Sequence, residues 1–284
     1  MKTLNRIKEA IDKLIFCYTV TKNFSSFLKI IWFTKLYRFR KKSAKYTQSQ
    51  NKFFCISLAM FPGKEIFLRI YAGDIDIFYE IFYKKIYELP ITPNKQVIID
   101  AGANVGFAAL YFLHQMPGSL IYCIEPDPEN FNFLHKNLLN EIGNGRVKLF
   151  LAAISDKDGF LNLQKSHFKY NTGVTKQRVE NSVEVITYSV ATFLKKFNIE
   201  KVNIFKMDIE GSEENIFETD VSWLSNVGEL LIEFHSESIK KMCFEKIISQ
   251  KFNFLHHSIR KNTDVFHFTS EEMPGSIFFL ENLY

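Results

Sequence analysis

From residue 96 to about residue 234 the chain repeats one pattern, and that pattern limits the fold more than any other feature. A short apolar run is followed by a turn and then by a helical periodicity. Val97-Ile98-Ile99, Leu120 to Ile124, Val147 to Ala152, Val202 to Met207 and Glu229 to Phe234 read as buried strands. Helices are expected between them, from about Val105 to Gln115, Pro128 to Asn140 and Val190 to Phe197. Consecutive parallel strands need a crossover, and repeated strand–helix units give a mostly parallel sheet covered by helices on both faces. Phe252 to Ile259 and Ser276 to Leu280 are candidates for the closing strands. The segment Asp156-Lys157-Asp158-Gly159 reads as a polar turn without a chemical role.

Composition divides the chain into three stretches: a basic, aromatic helical arm over residues 1–50, strands and a helix over 51–95, and the α/β domain over 96–284. The first 50 residues hold 12 Lys/Arg against Glu9 and Asp12, whereas the remainder holds 24 against 29 Asp/Glu. The basic character thus belongs to the arm, and the mildly acidic body is a poor match for a polyphosphate-tracking surface. In the middle stretch, strands are expected at Phe53 to Phe61 and Glu65 to Tyr71, with a helix from about Ile75 to Leu89 closed by Pro90 and Pro93. Cys17, Cys55, Cys123 and Cys243 form no C-x-x-C pair, which argues against a structural zinc or redox dithiol and fits reduced thiols in the cytoplasm. No run of 18 uncharged apolar residues suggests a spanning helix, and the charged start does not resemble a signal peptide.

The segment Asp100-Ala101-Gly102-Ala103-Asn104-Val105-Gly106 lies directly between a strand and a helix. Its glycines permit a tight turn and close approach of a ligand, at the strand ends where doubly wound sheets bind theirs. The next strand ends at Glu125, an acid suited to accept both hydroxyls of a ribose. A dinucleotide fingerprint fails, because Asn104 and Phe107 stand where G-x-G-x-x-G requires glycine. No P-loop motif occurs. An acid opening the loop suits a ligand with a cationic amino-acid end better than a pyrophosphate, which favours S-adenosylmethionine.

Together with Glu125-Pro126-Asp127-Pro128, Lys206-Met207-Asp208-Ile209-Glu210-Gly211-Ser212-Glu213 and Glu233-Phe234-His235, this loop resembles the FkbM family of methyltransferases, in the right order from about Asp74 to His235. The resemblance implies the Rossmann-like class I methyltransferase fold, S-adenosylmethionine as donor and transfer to an oxygen, commonly a hydroxyl of a sugar or natural product. It also implies that Asp100, Gly102, Asn104 and Gly106 form the cofactor loop, with Asp100 near the methionine portion. Glu125 would hold the ribose and Asp127 would lie near the adenine or ribose edge. Lys206, Asp208, Glu210 and Glu213 match the motif aimed at the reacting end. One departure stands out: the family often has Leu-Asp where this chain has Val190-Ala191.

A sugar hydroxyl is a weak nucleophile and gains from a base, by about 10²–10⁴-fold. The catalytic candidates are Asp208, Glu210, His235 and Lys206. Crowded carboxylates raise one another's pKa toward a useful range. The same acids with His235 could instead hold Mg²⁺; the base reading is preferred, and no metal site is assigned. Glu213 opens the next helix and is equally well read as a structural acid there. Ala152-Ala153 are small enough to leave room for the adenine ring, which makes Ala153 a cofactor-site candidate. The pair His256-His257 points to opposite faces of a strand and is read as structural, as are His114 and His135. The arm reads as a solvated helical face or as a peripheral membrane contact through residues 1–45, with nucleic acid the weakest reading. No Asn/Asp-Pro-Pro-Tyr/Phe motif of nucleic-acid amino methyltransferases is present, so the expected partner is a small-molecule or glycan acceptor, in a cytoplasmic or membrane-associated enzyme. A non-catalytic S-adenosylmethionine-binding module and a nicotinamide-dependent oxidoreductase are the rival readings.

Overall fold

The computed structural model describes residues 2–41, 52–70, 72–89, 96–163, 174–175, 183–209, 212–234, 237–259 and 264–272. The chain divides into two compact units, Met1–Lys85 and the pair of segments Ile86–His167 and Asn171–Tyr284.

The first unit opens with two helices, α1 (Lys2–Val20) and α2 (Phe24–Lys41), followed by an antiparallel hairpin of β1 (Phe53–Ser57) and β2 (Glu65–Arg69). The inner sides of the helices meet the hairpin, through Thr21 and Leu58, and α3 (Asp74–Phe78), where the rings of Phe16 and Phe78 lie 6.0 Å apart. Phe33 stacks on Phe54 with ring centroids 4.2 Å apart, Ser26 Oγ accepts from the Ser57 amide, and Lys29 donates to the Cys55 carbonyl. The Tyr79 hydroxyl is buried between Cys17 Sγ at 3.3 Å and Thr34 Oγ1 at 3.0 Å. Arg69 and Asp74, both buried, form a 2.8 Å ion pair that ties β2 to α3. The helix expected to reach Leu89 is much shorter. α3 passes into one π-helical turn over Tyr79–Tyr83, and Lys85 at φ 52° ends the helix. The apolar residues Ile86 and Tyr87 that made the pattern look helical are buried in a turn instead.

The second unit is built on a seven-stranded sheet. Its strands are β3 (Val97–Ala101), β4 (Leu120–Ile124), β5 (Val147–Phe150), β10 (Val202–Met207), β11 (Val227–Phe234), β12 (Phe252–Ile259) and β13 (Asp264–Ser270), in the order β12-β13-β11-β10-β3-β4-β5. The five strands from β11 to β5 are parallel, and β13 enters antiparallel to β11. This is the Rossmann-like class I methyltransferase arrangement. The chain runs outward from β3 through β4 to β5 and then returns to β10 on the other side, so the order reverses between β3 and β10. A crevice for a ligand opens at such a reversal, outside the carboxyl ends of the strands. Between the strands run α4 (Phe107–Gln115), α5 (Pro128–Gly143), α6 (Val190–Lys196), α7 (Glu213–Glu218) and α8 (Glu237–Ser249). Every residue of α4 from Phe107 to Leu113 is buried, as a helix apolar on all sides must be.

A second sheet, β6-β9-β7-β8, is formed by β6 (Ala153–Ser155), β7 (Gly159–Leu163), β8 (Val174–Thr175) and β9 (Val183–Ser189). The run Val147 to Ala152 therefore ends as a strand at Phe150, and the chain leaves for this sheet at Ala153. Asp158 holds the departure in place, accepting from the Ser189 amide and the Thr192 hydroxyl, each at 2.8 Å. Ser189 caps α6 and stands just before the Val190-Ala191 departure. Phe252 to Ile259 is a strand as expected, whereas its partner is Asp264–Ser270. Asp264–Ser270 was not anticipated, because its alternation places apolar Val265, Phe266 and Phe268 beside polar residues that are also buried. Ser276 to Leu280 lies outside the described residues.

Candidate cofactor and active site

The loop after β3 is built by close backbone packing. Gly102 has φ +77°, and a Cβ there would stand 1.8 Å from the Asp208 carbonyl oxygen. Only glycine permits that approach, which draws the β3 and β10 ends together; the Asp208 amide then donates to the Ala101 carbonyl. Asn104 also takes a left-handed conformation, at φ 49°, one of the few side chains that do so readily. Gly106, at φ +87°, precedes α4 at a point where a Cβ would meet the Leu134 side chain. Two residues that the sequence motifs did not single out, Asn130 and Asn137 of α5, hold this loop: Asn137 donates to the Val105 carbonyl at 2.9 Å. Their signal in the sequence was polar residues at buried positions of an amphipathic helix, visible only once its inner face is known.

Glu125, at the end of β4, faces the same loop. Its Oε2 accepts from the Asn104 amide at 2.7 Å, and its Oε1 accepts from the Asp127 amide and the Asn130 side chain. Burial pushes its pKa up to about 7 against the pull of those donors. Asp127 serves as the N-cap of α5, accepting from the Glu129 and Asn130 amides. Ala153 is buried and packs with Leu163 and Val185 at the start of β6.

The charges converge between β3 and β10. Asp100 and Lys206 are register partners on adjacent strands, which brings Lys206 Nζ to 3.0 Å from Asp100 Oδ1. The same ammonium donates to the Gly102 carbonyl at 2.7 Å and lies 3.7 Å from Asp208 Oδ2. Behind it, 5.7 Å away, is the ring of Tyr87, whose hydroxyl donates to Glu233 Oε1 at 2.7 Å. Tyr87 was missed because it lies in a stretch with a helical pattern. Glu233 stood in a recognised motif without a role, and it is the third acid acting on Lys206. Burial by itself depresses the Lys206 pKa, but Asp100, Asp208 and Glu233 together outweigh it and hold the ammonium protonated. Asp100 is raised, first by burial and then by Asp208, with Lys206 opposing. Its Oδ2 and the Asn104 Oδ1 are buried and accept no hydrogen bond.

Asp208 is the most open of these groups, with 22 % of its side chain exposed against 3 % for Lys206. Glu213 is buried in the first turn of α7. Glu210 and His235 lie outside the described residues, as do the side chains of His256 and His257. His114 and His135 are exposed on α4 and α5. Among the described residues, no three His, Cys, Asp or Glu side chains are grouped to hold a metal ion. All four cysteines are free.

Comparison with known proteins places the chain in a family. Residues 100–262, more than half of the chain, match the methyltransferase FkbM domain. Methyltransferase 1 of Beauveria bassiana is 29% identical over 157 residues, covering 48% of this chain and 63% of its own length. The hexuronic acid methyltransferase AglP of Haloferax volcanii is 24% identical, with coverages of 56% and 66%. The 2-O-methyltransferase NoeI of Sinorhizobium fredii is likewise 24% identical, with 50% and 65%. The chain thus spans just under two thirds of the length of the curated relatives it matches. With the loop at Asp100, the acid at Glu125 and the β10 cluster all at or within the matched region, the chain belongs to the FkbM methyltransferase family.

Proposed function

We propose that the protein is an S-adenosylmethionine-dependent O-methyltransferase acting on a hydroxyl of a sugar, a glycan or a small natural product. The observation that carries this reading is the pair of buried acids, Asp100 and Glu125, at the ends of adjacent parallel strands around a loop that glycine alone permits. The residues present fit the cofactor. Asp100 Oδ2 and Asn104 Oδ1 are buried acceptors without a partner, suited to an ammonium donor, and an acidic surround favours a cationic ligand. Glu125 at the end of β4 suits the ribose hydroxyls. When bound, S-adenosylmethionine supplies an electrophilic methyl group.

The protein's part is to hold the acceptor in line and to take its proton. Positioning accounts for up to about 7–11 kcal/mol in reactions of this kind. Lys206, kept protonated by three acids, cannot act as the base; it fixes the ends of β3 and β10 and the orientation of Asp208. Asp208, partly exposed at the edge of the cluster, is the described group best placed to receive the hydroxyl proton on Oδ2. Glu210 and His235 are further candidates for that role. The acceptor class draws support from two relatives, whose names give a hexuronic acid and a 2-O position.

Calorimetric titration with S-adenosylhomocysteine, with NADH as control, tests the cofactor assignment. Micromolar binding lost in Asp100→Ala and Glu125→Ala is expected; binding of NADH in its place would refute the reading. Methyl transfer to a panel of sugars, compared with Asp208→Asn, separates an enzyme from a module that only binds the cofactor.

A further inference from the structure

The first unit carries an exposed surface that methyl transfer does not require. On α1, Ile7, Ile11, Leu14, Ile15 and Tyr18 are between 46% and 68% exposed, and on α2, Phe24, Leu28, Trp32 and Phe39 are between 50% and 77% exposed. At about 100° per residue, each set falls within a band about 100° wide along one side of its helix. The inner sides are already occupied. Cys17, Val20, Ser26, Ile30, Thr34 and Tyr37 are buried, and the polar atoms of Cys17, Ser26 and Thr34 already have partners in Tyr79 and the hairpin. The outer bands are therefore not core faces awaiting elements of this unit. Near the turn between the helices the two bands meet, where Phe27 contacts both Tyr18 and Phe24 at 5.9 Å.

We propose that this face docks on the surface of an anionic bilayer. The charge around it identifies the partner: the first 50 residues carry 12 Lys/Arg against two acids. Lys35 lies within the α2 band and Lys8 beside the α1 band, both exposed. Long basic side chains can rest their stems on the apolar band and reach up to lipid phosphates, while Trp, Tyr and Phe settle at the headgroup boundary. Neither helix is long and apolar enough to cross a membrane, so the mode is a helix pair lying in the interface. A second copy is disfavoured, because a self-complementary contact would press two strongly cationic faces together. Nucleic acid is disfavoured as well, since the α1 band is aliphatic except for Tyr18 and offers successive bases no series of rings to stack on.

Sedimentation of the full chain with phosphatidylcholine vesicles, with and without phosphatidylglycerol, tests the proposal. Trp32 emission provides a second readout, because Trp223 is buried. The protein is expected to pellet with the anionic vesicles at low salt and to release at high salt, with a blue shift of Trp32. The triple variant Phe24→Ser/Leu28→Ser/Trp32→Ser should bind the anionic vesicles at least about tenfold more weakly. Its unchanged circular dichroism and S-adenosylhomocysteine affinity would show that it is folded. Three results overturn the proposal: no pelleting with either vesicle, equal pelleting of the variant, or a wild-type dimer that the variant loses. The readout is binding, so it stands or falls apart from the methyltransferase reading.

Discussion

In the second unit Asp100, Glu125, Lys206, Glu213 and Glu233 are buried, whereas on α1 and α2 of the first unit nine large apolar side chains face solvent. Each arrangement is unfavourable for an isolated chain. Buried charge must be paired and hydrogen-bonded, and a contiguous apolar surface tends to be covered. The second unit meets most of its cost internally: one ammonium serves three acids and a carbonyl, and three N–H groups serve Glu125. Asp100 Oδ2 and Asn104 Oδ1 are among the acceptors left over, and they are where the proposed cofactor would bind. The first unit satisfies its inner faces and leaves the outer ones bare, which marks where a surface belongs. Substitutions in the two regions should consequently behave in opposite ways, the first kind acting on folding and the second on association.

The largest effect is expected for Lys206→Met. It strands Asp100, Asp208 and Glu233 without their cation and should cost about 3–5 kcal/mol in urea unfolding, part of which Lys206→Met/Asp100→Asn recovers. Gly102→Ala should follow, losing about 2–3 kcal/mol through its φ and its clash with the Asp208 carbonyl, with S-adenosylhomocysteine affinity lost as well. Glu125→Gln should weaken that affinity by about ten- to a hundredfold with a smaller effect on folding. The same carboxyl makes a prediction for pH. Its folded pKa is raised, so the native state binds the extra proton, and its contribution to stability falls as pH rises from about 4.5 to about 7 and is flat above. Ribose binding wants the ionised form, so S-adenosylhomocysteine affinity should rise across the upper part of that window, and Glu125→Gln should flatten both profiles. The smallest effect on folding is expected for Trp32→Ser, within about 0.5 kcal/mol. A loss there as large as at Lys206 would erase the distinction between the two regions.

Much of the second unit was legible from residue order. Short apolar runs separated by helical periods can pack only as a sheet with crossovers, and a glycine-bearing turn with acids at the ends of two successive strands narrows the ligand before any coordinates are seen. Local pattern reported those features because they depend on neighbours in the chain. The tertiary structure alone decided the rest. Asp100 and Lys206 are paired by strand order across 106 positions, Tyr87 and Glu233 reach Lys206 from segments with no shared motif, and Asp127 proves to be a helix cap. The same holds for the arm. Its apolar spacing predicts helices with an inner face, but an apolar stripe reads alike whether it meets a core or solvent. Only packing shows that the hairpin takes one side of α2 and leaves Phe24, Leu28, Trp32 and Phe39 outside. Helical period is a property of the local chain, whereas burial and ion pairing are properties of what lies across from it.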